Sequence, residues 1–394
     1  MTIFMKEFPS LHYMLSSRLA SISESKTVSS SNKASKMKSQ GIKVFNFGIG
    51  EPDFTTPEHI IKAGFDAALK GKTHYTPSAG IPELREAISV KMKKINSVDC
   101  SPENVLVTPT KFSINLSFLS ILNEGDEVLI PEPYFLSYPE IVKLTGGRPV
   151  PVRTDSEYDF DFNLLRKKIS GKTKAIIISN PCNPTGKVYS KKQMKKLEDF
   201  VLENNLYLIS DEIYEDLIFE GSMYSPASNP EMAEKVVTIG GFSKSYAMTG
   251  WRIGYMIGPE PLIKASNKLQ QQTITCVSSI AQYAALAAIE DRETPEKFRK
   301  IFLNRRNLVE SLISRSDSLT MRSVEGAFYA FVKYNRDVSS EEYANRLLDD
   351  KKVLVTPGSA FGEQGEGHFR LSFATDDDTI KSGIELIDQF NREF

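Results

Sequence analysis

Three segments of the chain set reactive side chains shortly after apolar runs. Behind Ala175–Ser179 comes Asn180-Pro181-Cys182-Asn183-Pro184-Thr185-Gly186, a rigid turn that offers the Asn183 amide. Behind Leu206–Ser210 comes Asp211-Glu212-Ile213-Tyr214, and behind Val236–Ile239 comes Gly241-Phe242-Ser243-Lys244-Ser245. If the runs are parallel strands, all these groups gather outside the carboxyl ends, where open α/β sheets bind ligands. A lysine amine held there can act as a nucleophile or a base, with a carboxylate and a phenol beside it to tune its reaction partner. Taken singly, each residue has a plainer role. Lys244 reads as a solvated surface lysine, Asp211 as a helix cap, Tyr214 and Trp251 as packing residues and Asn183-Pro184 as a turn. Cys182 has no base partner in sequence and reads as a small apolar filler.

Other familiar site types fail. His12, His59, His74 and His368 are too scattered to form a metal cluster, and no metal is expected. Gly71-Lys72-Thr73 has Asp66 where a phosphate loop needs its first glycine, and reads as a helix end. Gly358–Gly362 carries its serine in the wrong place for a nucleophile elbow. Gly48 and Gly50 lack the third glycine of a dinucleotide fingerprint.

The elements that must hold these groups show in an alternation of short apolar runs with amphipathic helices, which predicts parallel strands joined by crossovers. Strands are expected at Val105–Thr108, Glu127–Ile130, Ala175–Ser179, Leu206–Ser210, Val236–Ile239 and Gly254–Ile257. Helices are expected from Pro57 to about Lys70, Pro82 to Asn96, Phe112 to Leu122 and Ser190 to Asn204. From about Lys300 the pattern changes to a long helix reaching Arg315, short strands at Phe328–Val332 and Val353–Thr356, and a final helix to Phe394. Met14–Gln40, rich in Ser and Lys, is expected to be an arm packed on another part of the protein.

Composition bounds the rest. The 394 residues are 40% hydrophobic and 25% charged, ordinary values for a globular protein with room for two or three domains at about 150 residues each. With 49 basic and 50 acidic side chains there is no global basic field, so neither nucleic acid nor a membrane surface is an expected partner. Three cysteines without a CxxC pair suit a reducing compartment. No apolar run approaches the roughly 18 residues of a membrane span, and the N-terminus lacks a signal-peptide pattern, so a cytoplasmic protein is expected.

The segments NPTG (Asn183–Gly186), SDEIY (Ser210–Tyr214) and SKSYAMTGWRIGY (Ser243–Tyr255), in this order and spacing, resemble the class I pyridoxal-phosphate aminotransferases of fold type I. The likeness extends to Gly48–Phe54, Tyr75–Arg85, Tyr134–Glu140 and Phe369–Ser372, and so covers most of the chain after about residue 40. It is closest to the aspartate aminotransferases of the bacterial and archaeal subgroup. The implied fold is α/β: an arm and part of a small domain over 1–56, a large cofactor-binding domain with a mostly parallel sheet over 57–299, and a small α+β domain over 300–394.

The resemblance also implies roles. Lys244 would join pyridoxal 5'-phosphate through an aldimine and later move a proton. Asp211 would pair with the pyridine nitrogen, Asn183 and Tyr214 with the ring oxygen, and Phe135 would stack on the ring. Arg252, Ser243 and the amides of Thr110, Lys111 and Phe112 would hold the phosphate, with Tyr75 reaching it from the other subunit of a homodimer. Arg370 would grip the substrate α-carboxylate beside the Gly50 backbone and Asn183. No arginine lies between Thr273 and Ile280, and the resemblance implies Lys111 as the cation for an acidic substrate side chain, since it aligns with a lysine that has this role in the resembled subgroup. The implied reaction moves an amino group from an L-amino acid, aspartate first and alanine or an aromatic amino acid next, to a 2-oxo acid, with 2-oxoglutarate the expected acceptor. A β-elimination lyase and a non-catalytic cofactor-binding module are the competing readings on the same fold.

Overall fold

The computed structural model describes Ser16, Ile22 and residues 26–393. Most of the expected arm before Lys26, and the end of the final helix at Phe394, lie outside the described residues. The remainder of the arm is the helix Lys26–Ser39. Its Ala34 is buried with Val44, Leu348 and Leu354, and Lys33 pairs with Asp349, so this helix packs on the C-terminal part of the chain. Strand β1 (Phe45–Asn46) follows and pairs in parallel with Val353–Leu354.

The central sheet has seven strands: β2 (Val105–Val107), β3 (Glu127–Glu132), β4 (Arg148–Arg153), β5 (Thr173–Ser179), β6 (Tyr207–Asp211), β7 (Val236–Gly241) and β8 (Gly254–Ile257), in the order β2-β8-β7-β6-β5-β3-β4. The alternation of side chains feeds two cores. Ile177 and Ile209 pack on one face with Ile114 and Val142, while Ile176, Ile178 and Leu208 pack on the other with Met194, Leu197 and Val201. Helix Lys191–Glu203 on the second face starts at a capping box between Ser190 and Gln193. Helix Glu58–Leu69 ends at Gly71, whose φ of 74° explains why Gly71-Lys72-Thr73 is a terminus and not a phosphate loop.

Two expectations need correction. β8 was expected to be parallel but runs antiparallel to both β2 and β7, because the Phe242–Ile253 connection contains no crossover helix and turns straight back. β4 gives no strand signal, since Pro149 and Pro151 interrupt it. They are accommodated because β4 is an edge strand paired only with β3.

The C-terminal portion holds β9 (Leu319–Met321), β10 (Tyr329–Tyr334), β11 (Val353–Leu354, the partner of β1), β12 (Thr356–Pro357) and β13 (His368–Ser372). β12-β13-β10-β9 form an antiparallel sheet covered by helices Glu293–Ile313 and Asp377–Glu393. The first of these helices begins ahead of the expected Lys300, because Asp291 accepts from the Glu293 and Thr294 amides and starts it there. After β1, the Phe47 carbonyl accepts from the Ser372 amide at 2.9 Å, which brings the Gly48–Glu51 loop against β13. Among the described residues no helix is long and apolar enough to cross a membrane.

Candidate active site

Register builds the floor of the site. Ser179 lies opposite Asp211 and Asp211 opposite Ile239, so β5 and β6 end level while β7 runs on to Gly241. The turns behind them open into a cavity of about 500 Å³. Its walls include Asn183, Asp211, Tyr214, Ser243, Lys244, Arg252, Thr110, Lys111, Phe135, Gly50 and Arg370. Residues from seven separate stretches of sequence are therefore neighbours in one cleft.

Asp211 is buried, and this pushes its carboxyl up to about 6, against hydrogen bonds from the Tyr138 hydroxyl at 2.8 Å and the Ile213 amide at 3.3 Å. The Lys244 ammonium is likewise desolvated, which pulls it down to about 8. Glu51 opposes that fall and Arg370 adds to it. Its Nζ donates to the Gly50 carbonyl at 2.6 Å and lies over the rings of Tyr214 and Phe328. At neutral pH a usable fraction of this amine is unprotonated and nucleophilic.

Arg370 is 3% exposed, and among the described residues no carboxylate pairs with it. Its Nη1 donates to Asn183 Oδ1 at 3.0 Å, its Nη2 to the Gly48 carbonyl at 2.9 Å, and its Nε has no partner. The Tyr329 ring lies 4.5 Å from the guanidinium carbon. A buried guanidinium left without a counter-charge suits an incoming carboxylate. Because Asn183 Oδ1 is committed to Arg370, its amide nitrogen is the end available to a ligand oxygen. Tyr214 hydrogen-bonds Tyr329, hydroxyl to hydroxyl, at 2.8 Å, and burial pushes its phenol well up, so it stays a neutral donor.

The anion end of the cavity is the start of helix Thr110–Ile121. The Phe112 and Ser113 amides both turn back to the Pro109 carbonyl, at 2.8 and 3.0 Å, so the amides of Thr110 and Lys111 are those the helix offers a ligand. Phe112 is thus a correction to the expected donor set, and its ring packs into the apolar core beside the sheet. The helix start presses on the sheet so closely that a Cβ at Gly241 or Gly254 would come within 2.4 or 2.3 Å of Thr110 Oγ1. Glycine stands at 241 for that reason. Arg252 lines the same end, with its Nη1 donating to the Thr249 carbonyl at 2.7 Å. Lys111 stands at the mouth, 5.8 Å from the centre of the Phe135 ring, and desolvation by the cavity wall and then the Arg252 charge lower its pKa.

Four basic and two acidic side chains face this cavity, a balance that favours an anionic ligand. Tyr75 is not among its walls. It projects outward, 87% exposed. Tyr138, Tyr329, Glu51 and Thr249 take part in the site without having been singled out in the sequence. Tyr138 lies within the Tyr134–Glu140 likeness and Glu51 within Gly48–Phe54, which are the signals that could have found them. Tyr329 read only as a strand residue.

A family profile described as "Aminotransferase class I and II" matches residues 42–387. The chain is 41% identical to the aspartate aminotransferase of Pyrococcus abyssi, over 89% of this chain and 92% of that one. It is 40% identical to aromatic-amino-acid aminotransferase 2 of Thermococcus litoralis, over 90% and 93%. Among solved structures, the aspartate aminotransferase of Thermus thermophilus with maleate superposes with a TM-score of 0.91 at 38% identity, covering 95% of this chain and 99% of that one. Site, fold and likeness agree, and the chain belongs to the class I and II aminotransferases, on the fold type I architecture.

Proposed function

We propose that this aminotransferase uses pyridoxal 5'-phosphate to move the amino group of aspartate to 2-oxoglutarate, giving oxaloacetate and glutamate. The observation that carries the cofactor is the pairing of a desolvated Lys244 amine with a buried Asp211 carboxylate in one cavity, with Arg252 and the Thr110 and Lys111 amides at its anion end. Those donors fit an aldehyde, a ring nitrogen and a phosphate in turn. When bound, the cofactor supplies a conjugated ring that draws electron density from the substrate Cα.

The chain's own groups do the rest. Lys244 Nζ would be the group that moves a proton at the substrate Cα, a task suited to an amine that titrates near the working pH. Asp211 would hold the cofactor's ring nitrogen, offering it a carboxylate whose burial leaves it short of counter-charge. Tyr214, the Asn183 amide and Phe135 would hold the cofactor's ring, the first two as hydrogen-bond donors and the third by apolar contact. Ser243, buried at the cavity wall, is a further donor toward the phosphate. Arg370 binds the α-carboxylate with the Gly50 backbone alongside, and excludes substrates that lack that group.

Aspartate as the donor is supported by the Lys111 ammonium at the mouth, which lacks a carboxylate partner among the described residues, and by the relatives named for aspartate. The maleate of the Thermus thermophilus structure is a four-carbon dicarboxylate, as aspartate is. The Thermococcus litoralis relative, equally similar, is named for aromatic amino acids and keeps that donor class as the second reading. A homodimer is supported by exposed Phe65, Leu69, Tyr75 and Ile274, and in it Tyr75 would reach the partner's phosphate site. The division into 1–56, 57–299 and 300–394, and a cytoplasmic location, belong to the same reading. Three cysteines without disulfides support the location.

The test is product analysis of protein loaded with pyridoxal phosphate and given aspartate. Glutamate appearing only when 2-oxoglutarate is added supports the reading. Ammonia release without any 2-oxo acid points to the lyase.

A further inference from the structure

The connection from β7 to β8 carries both Lys244 and Arg252. Two of its non-glycine residues, Ala247 and Arg252, hold left-handed backbone, with φ of 52° and 55°. L-residues take this conformation rarely and keep it only where their surroundings fix it. Thr56, 8% exposed, touches this loop at two points. Its hydroxyl donates to the Ala247 carbonyl at 2.7 Å and accepts from the Trp251 indole nitrogen at 3.0 Å. The Trp251 ring packs in turn on helix Glu58–Leu69, where a Cβ at Gly64 would meet it at 3.0 Å. Glu51 adds a tie at the rim by accepting from the Thr249 hydroxyl at 2.8 Å. Ala247, Thr249 and Trp251, the three tied residues, all lie between the lysine and the arginine.

We propose that Thr56 is a positioning residue: its hydroxyl relay between Trp251 and Ala247 sets where Arg252 stands relative to Lys244, so that one phosphorylated aldehyde meets both cations at once. The inference rests on the cofactor reading above. Thr56 does not line the cavity and acts only through the loop. The relay needs a group that donates and accepts together, which a hydroxyl does and a valine of the same shape does not. Without it the Ala247 carbonyl and the Trp251 N–H lose their partners, and the left-handed turn at Arg252 loses a support.

The chain has a single tryptophan, so the emission of Trp251 reports the relay directly in cofactor-free protein. In the full-length Thr56→Val protein a changed Trp251 emission is expected, together with pyridoxal phosphate retention about tenfold weaker by equilibrium dialysis. Thr56→Ser is expected to restore both. Trp251→Phe keeps an aromatic ring, removes the donor together with part of the packing at Gly64, and stands in if Thr56→Val does not fold, with retention expected to be about threefold weaker. Unchanged emission and retention in Thr56→Val, or unchanged retention in Trp251→Phe, overturns the relay and leaves the cofactor reading standing. Wild-type protein that retains no pyridoxal phosphate overturns the cofactor reading, and the inference with it.

Discussion

Tyr138 donates a 2.8 Å hydrogen bond from helix Ser137–Leu144 to Oδ2 of Asp211, at the end of β6. The Ile213 amide holds the other oxygen at 3.3 Å. The carboxylate is therefore oriented from two elements before any ligand arrives. Tyr138→Phe removes the stronger of the two bonds, and because both bonds lower the pKa that burial raises, the Asp211 carboxyl is expected to climb above 6. Its ionised fraction then falls most at low pH. Pyridoxal phosphate retention is expected to weaken about fivefold at pH 6.5 and hardly at all at pH 8.5, measured by equilibrium dialysis.

The same burial sets a stability difference. The folded carboxyl titrates near 6 against an ordinary value of 3.8, so the folded state binds the extra proton and stability from this group falls as pH rises from about 4 to 6. Asp211→Asn removes that loss. Cofactor-free Asp211→Asn is expected to exceed wild type by on the order of 2 kcal/mol at pH 7, and by much less at pH 4.5, in urea denaturation. Loaded with cofactor, it is expected to turn over at least about a hundredfold more slowly.

Lys244, Asp211, Tyr214 and Asn183 were legible because each follows a strand or its turn at a recognisable spacing, and the strand ends were themselves readable from apolar runs, whereas Arg252 was named only through resemblance. Arg370 was legible only through resemblance, since nothing local marks a buried arginine in a strand. Tyr138, Tyr329 and Thr249 act through contacts with residues far away in sequence, and such contacts leave no periodic trace. Phe112 was assigned an amide role that hydrogen bonding to Pro109 cancels, a matter of backbone geometry that composition cannot express. β4 was hidden by its prolines and β8 was given the wrong direction. Neither error moved the site, because the carboxyl ends of β5, β6 and β7 define it.

Arg370→Lys tests the carboxylate grip. Lysine keeps a charge and loses the planar fork, while the Asn183 and Gly48 contacts and the stacking on Tyr329 are broken. KM for the amino acid is expected to rise about a hundredfold, with cofactor retention unchanged. A variant that loses the cofactor instead would give Arg370 a different role.

Lys111→Ala tests the donor. The kcat/KM ratio for aspartate over alanine is expected to fall by about tenfold or more, mainly through aspartate, if the ammonium meets the side-chain carboxylate. An unchanged ratio would leave the distal carboxylate to another cation.

The central claim is a half-reaction that needs an amino acid and no acceptor. Protein loaded with pyridoxal phosphate is followed by absorbance as single amino acids are added, with Lys244→Ala as the control. Aspartate is expected to convert the protein-bound cofactor to its amine form within the mixing experiment, alanine and phenylalanine more slowly, and Lys244→Ala not at all. No conversion by any amino acid, or full turnover by Lys244→Ala, would contradict the account.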